Sequence, residues 1–459
     1  MYHACSVVAF TKKTDLWKHQ KTCQEKDESS VRYGPVRSGK LLLPKRNASK
    51  ELHENILVKM RADATKRSVL SDDAIIQYGN SEYQAKCHIP HNRIYLSNRM
   101  REIGRLLLEA QKLYQNIKSV TDLMRNKKWD LLVRAVKQVA NFDEQTGKFG
   151  IPSLAEKLGQ HMKNCAEMLR FEALKTGEEE WVGIMDTFIQ MYISGWKKEV
   201  SSLARYTSKE NKYSKPQLLP LVEDIVQLNR YLDERGEQVC EQIKSNPNSY
   251  ANLAKVLLAK IILFNRKRSG EAERMTLEQF HEAKSGEVRD PVIKKTVSKF
   301  EQRLCRSHLR VEIRDKKLRK VPVLLTEGML KWLNILIEYR SVAGVTDEVY
   351  VFARPGNSEN PYRGCDALRD LAESCESCKH PENITSTKLR KQLATCAQLL
   401  NMRDFEQELL ATFQGHDIRV HREFYRLPES KLQIAKISKV LHCINNGTVQ
   451  KYKGCNLMT

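Results

Sequence analysis

Apolar positions recur at helical spacing through the middle of this 459-residue chain. From Tyr95 to about Lys209 they return every three or four residues, the spacing that places side chains on one face of an α-helix. One such stripe consists of Met100, Ile103, Leu106, Leu107 and Ala110. Basic residues lie between these apolar positions. The pattern predicts a small all-helical domain over residues 93–212 with basic outer faces.

The last part of the chain, residues 213–459, combines two patterns. Helical spacing predicts helices at 221–232, 250–264, 327–339, 365–374, 388–400, 405–412 and 431–444. Two runs of β-forming residues, Leu309–Ile313 and Lys320–Leu325, flank the turn-like segment 314–317 and predict a β-hairpin. The predicted fold class is therefore mainly α with a small antiparallel β-sheet (α+β).

The N-terminal region gives weaker patterns. Residues 24–92 are polar, basic and weakly periodic, which predicts a largely irregular linker with one helix near Leu57–Arg67. Residues 1–23 contain a set of positions spaced as in a Cys/His zinc finger, namely Cys5, Phe10, Leu16, His19 and Cys23. The first cysteine of such a finger is absent. We interpret this segment as degenerate or truncated, with a structural zinc on Cys5, His19 and Cys23 as the alternative.

The overall charge says more about the partner of this chain than the composition does. Lys and Arg outnumber Asp and Glu along most of the chain and give a formal net charge of +22. A polyanion such as double-stranded DNA is the natural partner of that charge. The twelve cysteines form no dense framework, and no apolar secretion segment opens the chain, so we expect free thiols in a reducing compartment, the nucleus or a nucleoid. No apolar run approaches ~18 residues, so we expect no membrane span.

Three segments of the last domain carry residues suited to phosphate chemistry. An apolar helix runs into the basic turn around Arg268, where a guanidinium can hold a phosphate with two hydrogen bonds. Thr385 and Ser386 cap a helix that carries Arg390 close to its N-terminus, which attracts anions. Gly415 predicts the end of a helix, and His416 follows it nine residues before Tyr425, whose hydroxyl becomes a competent nucleophile when cations neutralise the phosphate it attacks. Each segment alone is more often ordinary surface or core.

In combination and in order, these segments resemble the tyrosine recombinase (phage-integrase-like) superfamily. The amino-acid sequences of segments 264–271, 321–325 and 415–425 are most similar to those of Crypton-type transposon recombinases of eukaryotic genomes. The resemblance covers about 215–445. It implies a tyrosine-recombinase catalytic domain at 213–459, with a C-terminal docking helix, and a helical core-binding, DNA-clamping domain before it. It also favours the nucleus as the compartment.

The resemblance implies roles for individual residues. Arg268, three residues before Glu271, matches the first catalytic arginine, and Arg390 matches the second. His416 matches a hydrogen-bond donor to the phosphate, and Tyr425 matches the nucleophile. Lys316 is the best match for the hairpin lysine that acts as general acid, with Lys317 as the alternative. Basic residues expected to contact DNA are Arg99, Arg101, Arg105, Lys317, Lys388 and Lys391.

The implied activity is DNA strand cleavage and rejoining through a 3′-phosphotyrosyl intermediate, without metal, ATP or another cofactor. One residue departs from the family pattern. Thr387 stands where the family carries His or Lys, and loss of such a donor costs about 2–4 kcal/mol in the transition state. The departure favours an alternative function, a catalytically impaired, domesticated recombinase that binds DNA as a regulator. A zinc-finger transcription regulator is a third hypothesis.

Two further clusters leave alternatives open. Cys375, Cys378 and His380, with Cys365 upstream, have spacing partly typical of a zinc site, but an ordinary loop fits as well. An apolar stripe in 434–444 suits helix docking, either within the chain or, as the resemblance suggests, between copies that associate on DNA as a dimer or tetramer.

Overall fold

A computed structural model divides the chain into two compact units, Met1–Pro216 and Gln217–Thr459. The described residues are 2–3, 10–11, 47–87, 89–214, 218–285, 303–304, 306–314, 319–356, 358, 360–397, 402 and 404–415. Each unit has its own cluster of buried apolar side chains. Within these residues the chain is mainly helical and forms small two-stranded antiparallel sheets. This confirms the predicted fold class.

Unit 1 is a helical assembly with two very short strand pairs. Its described strands are β1 (Tyr2–His3), β2 (Phe10–Thr11), β3 (Phe142–Asp143) and β4 (Lys148–Phe149). Its described α-helices are α1 (Lys50–Leu52), α2 (Ala64–Ser71), α3 (Asp73–Lys86), α4 (Pro90–Leu113), α5 (Val120–Leu123), α6 (Trp129–Val139), α7 (Pro152–Thr176), α8 (Glu179–Met191) and α9 (Ser202–Ser214). The segments His53–Leu57 and Tyr192–Ser201 are π-helical, and Asn126–Lys128 is a 3-10 turn.

The core of unit 1 is built around α4. The predicted apolar stripe of this helix is fully buried, and α4 packs against α2, α3, α6 and α7. Burial of one continuous stripe is what holds an amphipathic helix in place, since helix propensity alone is too weak. The predicted stripe is therefore the face by which α4 is held in the core of unit 1.

Helices α2 and α3 lie within 24–92, the segment predicted to be a largely irregular linker. Asp63 and Asp72 cap these helices, and each carboxylate accepts a hydrogen bond at 2.9 Å from the amide three residues on. Lys66 is only 2% exposed, and its Nζ donates to the Val58 carbonyl at 3.3 Å. The linker prediction is therefore wrong for α3 and for the part of α2 that extends beyond the one helix predicted near Leu57–Arg67. In α2, polar residues occupy buried positions and obscure the apolar period.

Two glycines of unit 1 provide a matched test of this packing. A Cβ atom at Gly159 in α7 would lie 2.2 Å from the Trp196 ring, whereas a Cβ at Gly183 in α8 would meet nothing within 4 Å. We expect Gly159→Ala to lower the free energy of unfolding by about 1–3 kcal/mol through overpacking. Gly183→Ala should raise it by about 0.5–1 kcal/mol, since alanine favours a helix interior. Urea unfolding of both variants measures the difference, and equal effects of the same sign would contradict the packing.

Unit 2 surrounds one central apolar helix. Its described α-helices are α10 (Val222–Ser245), α11 (Tyr250–Asn265), α12 (Ser269–Ala272), α13 (Leu277–Ser285), α14 (Glu327–Glu338), α15 (Gly364–Glu373), α16 (Ser386–Cys396) and α17 (Asp404–Phe413). Its strands are β5 (His308–Arg314) and β6 (Lys320–Thr326), and Pro247–Ser249 and Pro381–Asn383 are 3-10 turns. Helix α11 is almost entirely buried and packs against α10, α14 and α15. Its C-terminal end therefore has a fixed position in the unit.

Strands β5 and β6 form the predicted hairpin. They pair antiparallel from His308 opposite Thr326 to Arg314 opposite Lys320. Alternate side chains point into the core of unit 2, among them Val311. This two-residue period is the pattern on which the strand prediction rested. Among the described helices of the chain, none is both long and apolar enough to cross a bilayer.

Candidate functional site

The turn after α11 is fixed by a side-chain amide. Asn265 is 2% exposed, and its Nδ2 donates to the Leu324 carbonyl at 2.8 Å while its Oδ1 accepts from the Leu324 amide at 2.7 Å. The amide thus satisfies both backbone groups of one residue on the outer side of β6. Arg266 follows with φ 53°, a left-handed conformation that ends the helix. These two features set the direction in which residues 267 and 268 leave the helix.

Arg268 lies at the N-terminus of α12 and pairs with the acidic residue of its own turn. Its Nη1 donates to Glu271 Oε1, and its carbonyl accepts from the Glu271 amide at 2.9 Å. The Arg268 side chain is 37% exposed, whereas Glu271 is 2% exposed. A buried carboxylate thus orients a guanidinium that solvent still reaches. The spacing of three residues, which the sequence singled out, is the spacing that makes this pair possible.

Backbone carbonyls of two other segments hold the Arg390 side chain. Helix α16 begins as predicted, with Thr385 Oγ1 accepting from the Lys388 amide at 3.3 Å. The Arg390 side chain is 1% exposed, and its guanidinium donates to Gln414 O at 2.9 Å and to Arg266 O at 3.4 Å. Arg390 therefore joins α16, the turn after α11 and the chain segment that follows α17.

Residues Phe413, Gln414 and Gly415 end α17, and we call them the 413–415 turn. Their three consecutive carbonyls accept hydrogen bonds from three cationic side chains: Lys267 to Phe413, Arg390 to Gln414 at 2.9 Å, and Arg319 to Gly415 at 2.7 Å. The carbonyl end of a helix attracts positive charge, so the arrangement is electrostatically favourable.

Gly415 ends the helix as the sequence predicted. Its φ of +70° is the left-handed conformation that glycine adopts without strain. An added Cβ there would lie 3.2 Å from Val321 Cγ2 and 3.9 Å from Arg268 Nη1. Arg268 is therefore close to the 413–415 turn as well. The structure thus brings both predicted arginines to the residues that directly precede His416.

Several predicted site residues lie outside the described residues. These are Tyr425, His416, Lys316, Lys317, Cys5, His19, Cys23 and the stripe in 434–444. The strands that flank 315–318 are described, so the lysine pair falls between β5 and β6 by its place in the sequence. The roles of these residues stay predictions.

Lys267 is a residue of this site that the sequence did not indicate. It is 0% exposed, and its Nζ lies 3.8 Å from the centre of the Phe413 ring in addition to donating to the Phe413 carbonyl. Burial lowers the pKa of Lys267 to about 7. In the sequence it is the middle one of three consecutive basic residues, 266–268, and nothing distinguishes it from its neighbours. Only the course of the backbone turns its side chain inward.

The predicted DNA contacts of unit 1 have different environments. Arg99 pairs with Glu82 at 2.5 Å, and Arg101 pairs with Asp63 at 2.5 Å. Arg105 is exposed on the same helix, α4. Two of the three predicted contacts thus already carry a carboxylate partner within unit 1. Both pairs are partly buried, so contact with a DNA phosphate requires each arginine to exchange or share its carboxylate partner.

The predicted contacts of α16 surround its first turn. Lys388 is half-buried and its Nζ donates to Asn383 Oδ1, and Lys391 is half-buried. Thr387 is exposed in the same turn. The position that departs from the family pattern is therefore reachable by a ligand, but it offers only a hydroxyl.

The cysteine cluster of unit 2 is part of the core. Cys375 and Cys378 are 4% and 9% exposed, and Cys378 Sγ donates to the Asp224 carbonyl at 3.4 Å. The Asp224 carboxylate accepts from the amides of Lys379 and His380 at 2.8 and 3.1 Å. Burial raises the pKa of Cys378, which disfavours the thiolate that zinc requires. In the part of the chain that the structure describes, no group of three or more potential ligands could hold a metal ion.

Comparison with known proteins yields structural neighbours only. No protein-family model and no curated protein matches the sequence. Solved structures that resemble the chain include the following three. XerH site-specific recombinase bound to palindromic difH in a post-cleavage complex has a TM-score of 0.43 and 11% identity, over 88% of this chain and 93% of that one. XerA recombinase has a TM-score of 0.28 and 14% identity, over 73% of this chain and 98% of that one. XerH bound to difH in a pre-cleavage complex has a TM-score of 0.34 and 14% identity, over 73% of this chain and 96% of that one. Similarities this distant assign no function to the chain.

Proposed function

We propose that this chain cleaves and rejoins DNA in the manner of a tyrosine recombinase, with Tyr425 as the nucleophile. The observation that carries the proposal is the convergence of Arg268 and Arg390 on the 413–415 turn, directly before His416. Residues that are distant in sequence but belong to one ordered motif set meet at one place. If these basic segments matched the motifs only by chance, there would be no reason for them to lie close together in the fold.

The charge of the site supports an anionic substrate. Four basic side chains surround the 413–415 turn, namely Lys267, Arg268, Arg319 and Arg390. Glu271 is a carboxylate in contact with this group. A phosphodiester beside Arg268 accepts guanidinium hydrogen bonds in the geometry that arginine favours.

The proposed reaction exchanges one phosphodiester for another. The Tyr425 oxygen attacks the scissile phosphorus, the bond from phosphorus to the 5′ oxygen breaks, and a 3′-phosphotyrosyl link forms. The leaving oxygen takes a proton from Lys316, and the phenol proton passes to solvent. Arg268, Arg390 and His416 stabilise the charge on the pentavalent phosphorus. A 5′ hydroxyl of another strand reverses the step, so bond energy is conserved and no cofactor is needed.

The biological setting belongs to the same proposal. The resemblance to Crypton-type recombinases supports descent from such an element, action in the nucleus, and association of copies on DNA as a dimer or tetramer. A structural zinc at Cys5, His19 and Cys23 is a separate hypothesis for the N-terminal segment, and metal analysis of the purified protein tests it.

A second candidate function is DNA binding without cleavage. Thr387 favours it, because an exposed threonine in the first turn of α16 supplies no charge where the family places His or Lys. In this case the chain retains the arginines as a phosphate-binding site and acts as a DNA-bound regulator.

A covalent trap separates the two functions. The protein is incubated with nicked duplexes of random sequence in EDTA, so that cleavage near the nick releases a short fragment and prevents rejoining. The recombinase proposal predicts a protein–DNA adduct that survives a denaturing gel. Full DNA affinity with no adduct would leave only the binding function.

A further inference from the structure

Lys267 is buried without an acidic partner among the residues that the structure describes. Its side chain is 0% exposed, and its Nζ contacts the carbonyl and the ring of Phe413. Among the described residues, no carboxylate forms an ion pair with it. Glu271, the acidic residue of the same turn, is paired with Arg268. A buried ammonium group without a carboxylate is costly, because a carbonyl and a ring replace only part of its hydration.

The surrounding charges act on Lys267 in both directions. After burial itself, the charges that act on Lys267 are those of Glu271, which opposes the loss of a proton, and then Arg390, Arg268 and Arg310, which promote it. Together they bring the pKa of Lys267 to about 7, compared with an ordinary value of 10.5. The residue therefore changes its charge close to neutral pH when no ligand is bound.

The neighbouring polar groups also lack a partner. Gln414 is 0% exposed, and among the described residues neither heteroatom of its side-chain amide has a hydrogen-bond partner. The same holds for Glu271 Oε2. A buried polar group without a hydrogen-bond partner destabilises the state that contains it. An excess of positive charge together with unsatisfied polar atoms points to a site that is completed by a ligand.

We propose that Lys267 is a positioning residue that takes up a proton when a DNA phosphate binds beside Arg268 and Arg390. The inference rests on the proposed function, since it requires that the phosphate bind there. A negative charge next to a buried amine favours the protonated form. The ammonium group then strengthens the hydrogen bond to the Phe413 carbonyl and so fixes the 413–415 turn in the DNA-bound state.

The sign of the pH dependence follows from linkage. Above pH 7 the free protein has lost the Lys267 proton, whereas the DNA complex retains it. DNA binding must then take up a proton, and affinity falls as pH rises. Below pH 7 both states are protonated, and this contribution to the pH dependence disappears.

The test compares wild type with Lys267→Met, Lys267→Gln and Lys267→Arg by fluorescence anisotropy on a nicked 30-base-pair duplex, at constant ionic strength from pH 6.5 to 9. Methionine and glutamine are uncharged substitutes, and arginine stays charged throughout. From pH 7 to 8.5 we expect the wild-type Kd to rise about tenfold more than that of the variants. Groups common to all four proteins, such as His416, cancel in this comparison.

Calorimetry in two buffers of different ionisation enthalpy gives a second readout. At pH 8 wild type should take up about one proton more than Lys267→Met on binding the duplex. Circular dichroism verifies that the variants are folded. If Kd depends on pH in the same way in all folded proteins and their proton uptake is equal, the role of Lys267 is overturned, whereas the proposed function is not. Absence of DNA binding by wild type would instead overturn the proposed function, and this inference with it.

Discussion

Replacing Tyr425 by phenylalanine is expected to abolish covalent attachment to DNA. The change removes only the hydroxyl oxygen, which is the atom that forms the bond to phosphorus. We expect adduct formation to fall by at least on the order of 10⁴-fold, since removal of a nucleophile eliminates the covalent route entirely. DNA affinity should change by no more than a few-fold, because the hydroxyl contributes at most one hydrogen bond in the ground state.

A matched control is available within the chain. Tyr213 is 92% exposed at the end of α9 in unit 1, so Tyr213→Phe removes the same atom elsewhere. This variant should form the adduct at the wild-type rate. If Tyr425→Phe forms adduct as fast as Tyr213→Phe, another residue is the nucleophile and the carry-over of that role is wrong.

Arg390→Met should have the second largest effect. Methionine fills much of the buried volume of Arg390 but cannot donate to Gln414 O or to Arg266 O. It also removes a positive charge from the transition state. We expect the rate of adduct formation to fall about 10²- to 10³-fold, as for loss of one donor to a developing oxyanion. Arg390→Lys should recover only part of that loss, because lysine keeps the charge but lacks the planar fork.

Loss of a buried, hydrogen-bonded arginine also destabilises the fold, so stability must be separated from chemistry. Arg340 provides the control. It is 9% exposed in the same unit and likewise donates to backbone carbonyls, at Tyr350, Val351 and Asp347. Arg340→Met should lower the melting temperature in a similar way while each folded molecule keeps its adduct-forming rate. Equal losses of rate in both variants would mean that Arg390 acts only through the fold.

The sequence predicted those parts of the site that depend on local spacing. The cap at Thr385, the hairpin of β5 and β6 and the helix end at Gly415 all follow from patterns within a few residues. Each rests on short-range geometry that the chain adopts wherever it occurs. These features are therefore visible before any tertiary structure is known.

Features that depend on distant partners could not be predicted in this way. Lys267 is buried because α17 returns past the turn after α11, and no local pattern records that packing. The ion pairs of Arg99 and Arg101 with Glu82 and Asp63 likewise join separate helices. Helix α2 extends beyond the one helix predicted near Leu57–Arg67, because polar residues such as Lys66 occupy part of its buried face.

The most direct test of the central claim is to locate the covalent bond. The trapped complex is digested with trypsin and nuclease, and mass spectrometry identifies the peptide that carries the remaining nucleotide. We predict a 3′-phosphonucleotide on Tyr425, with its yield strongly reduced in Arg268→Met and Arg390→Met. A nucleotide on any other residue, or no modified peptide from protein that binds DNA fully, would contradict the claim that these arginines hold the phosphate that Tyr425 attacks.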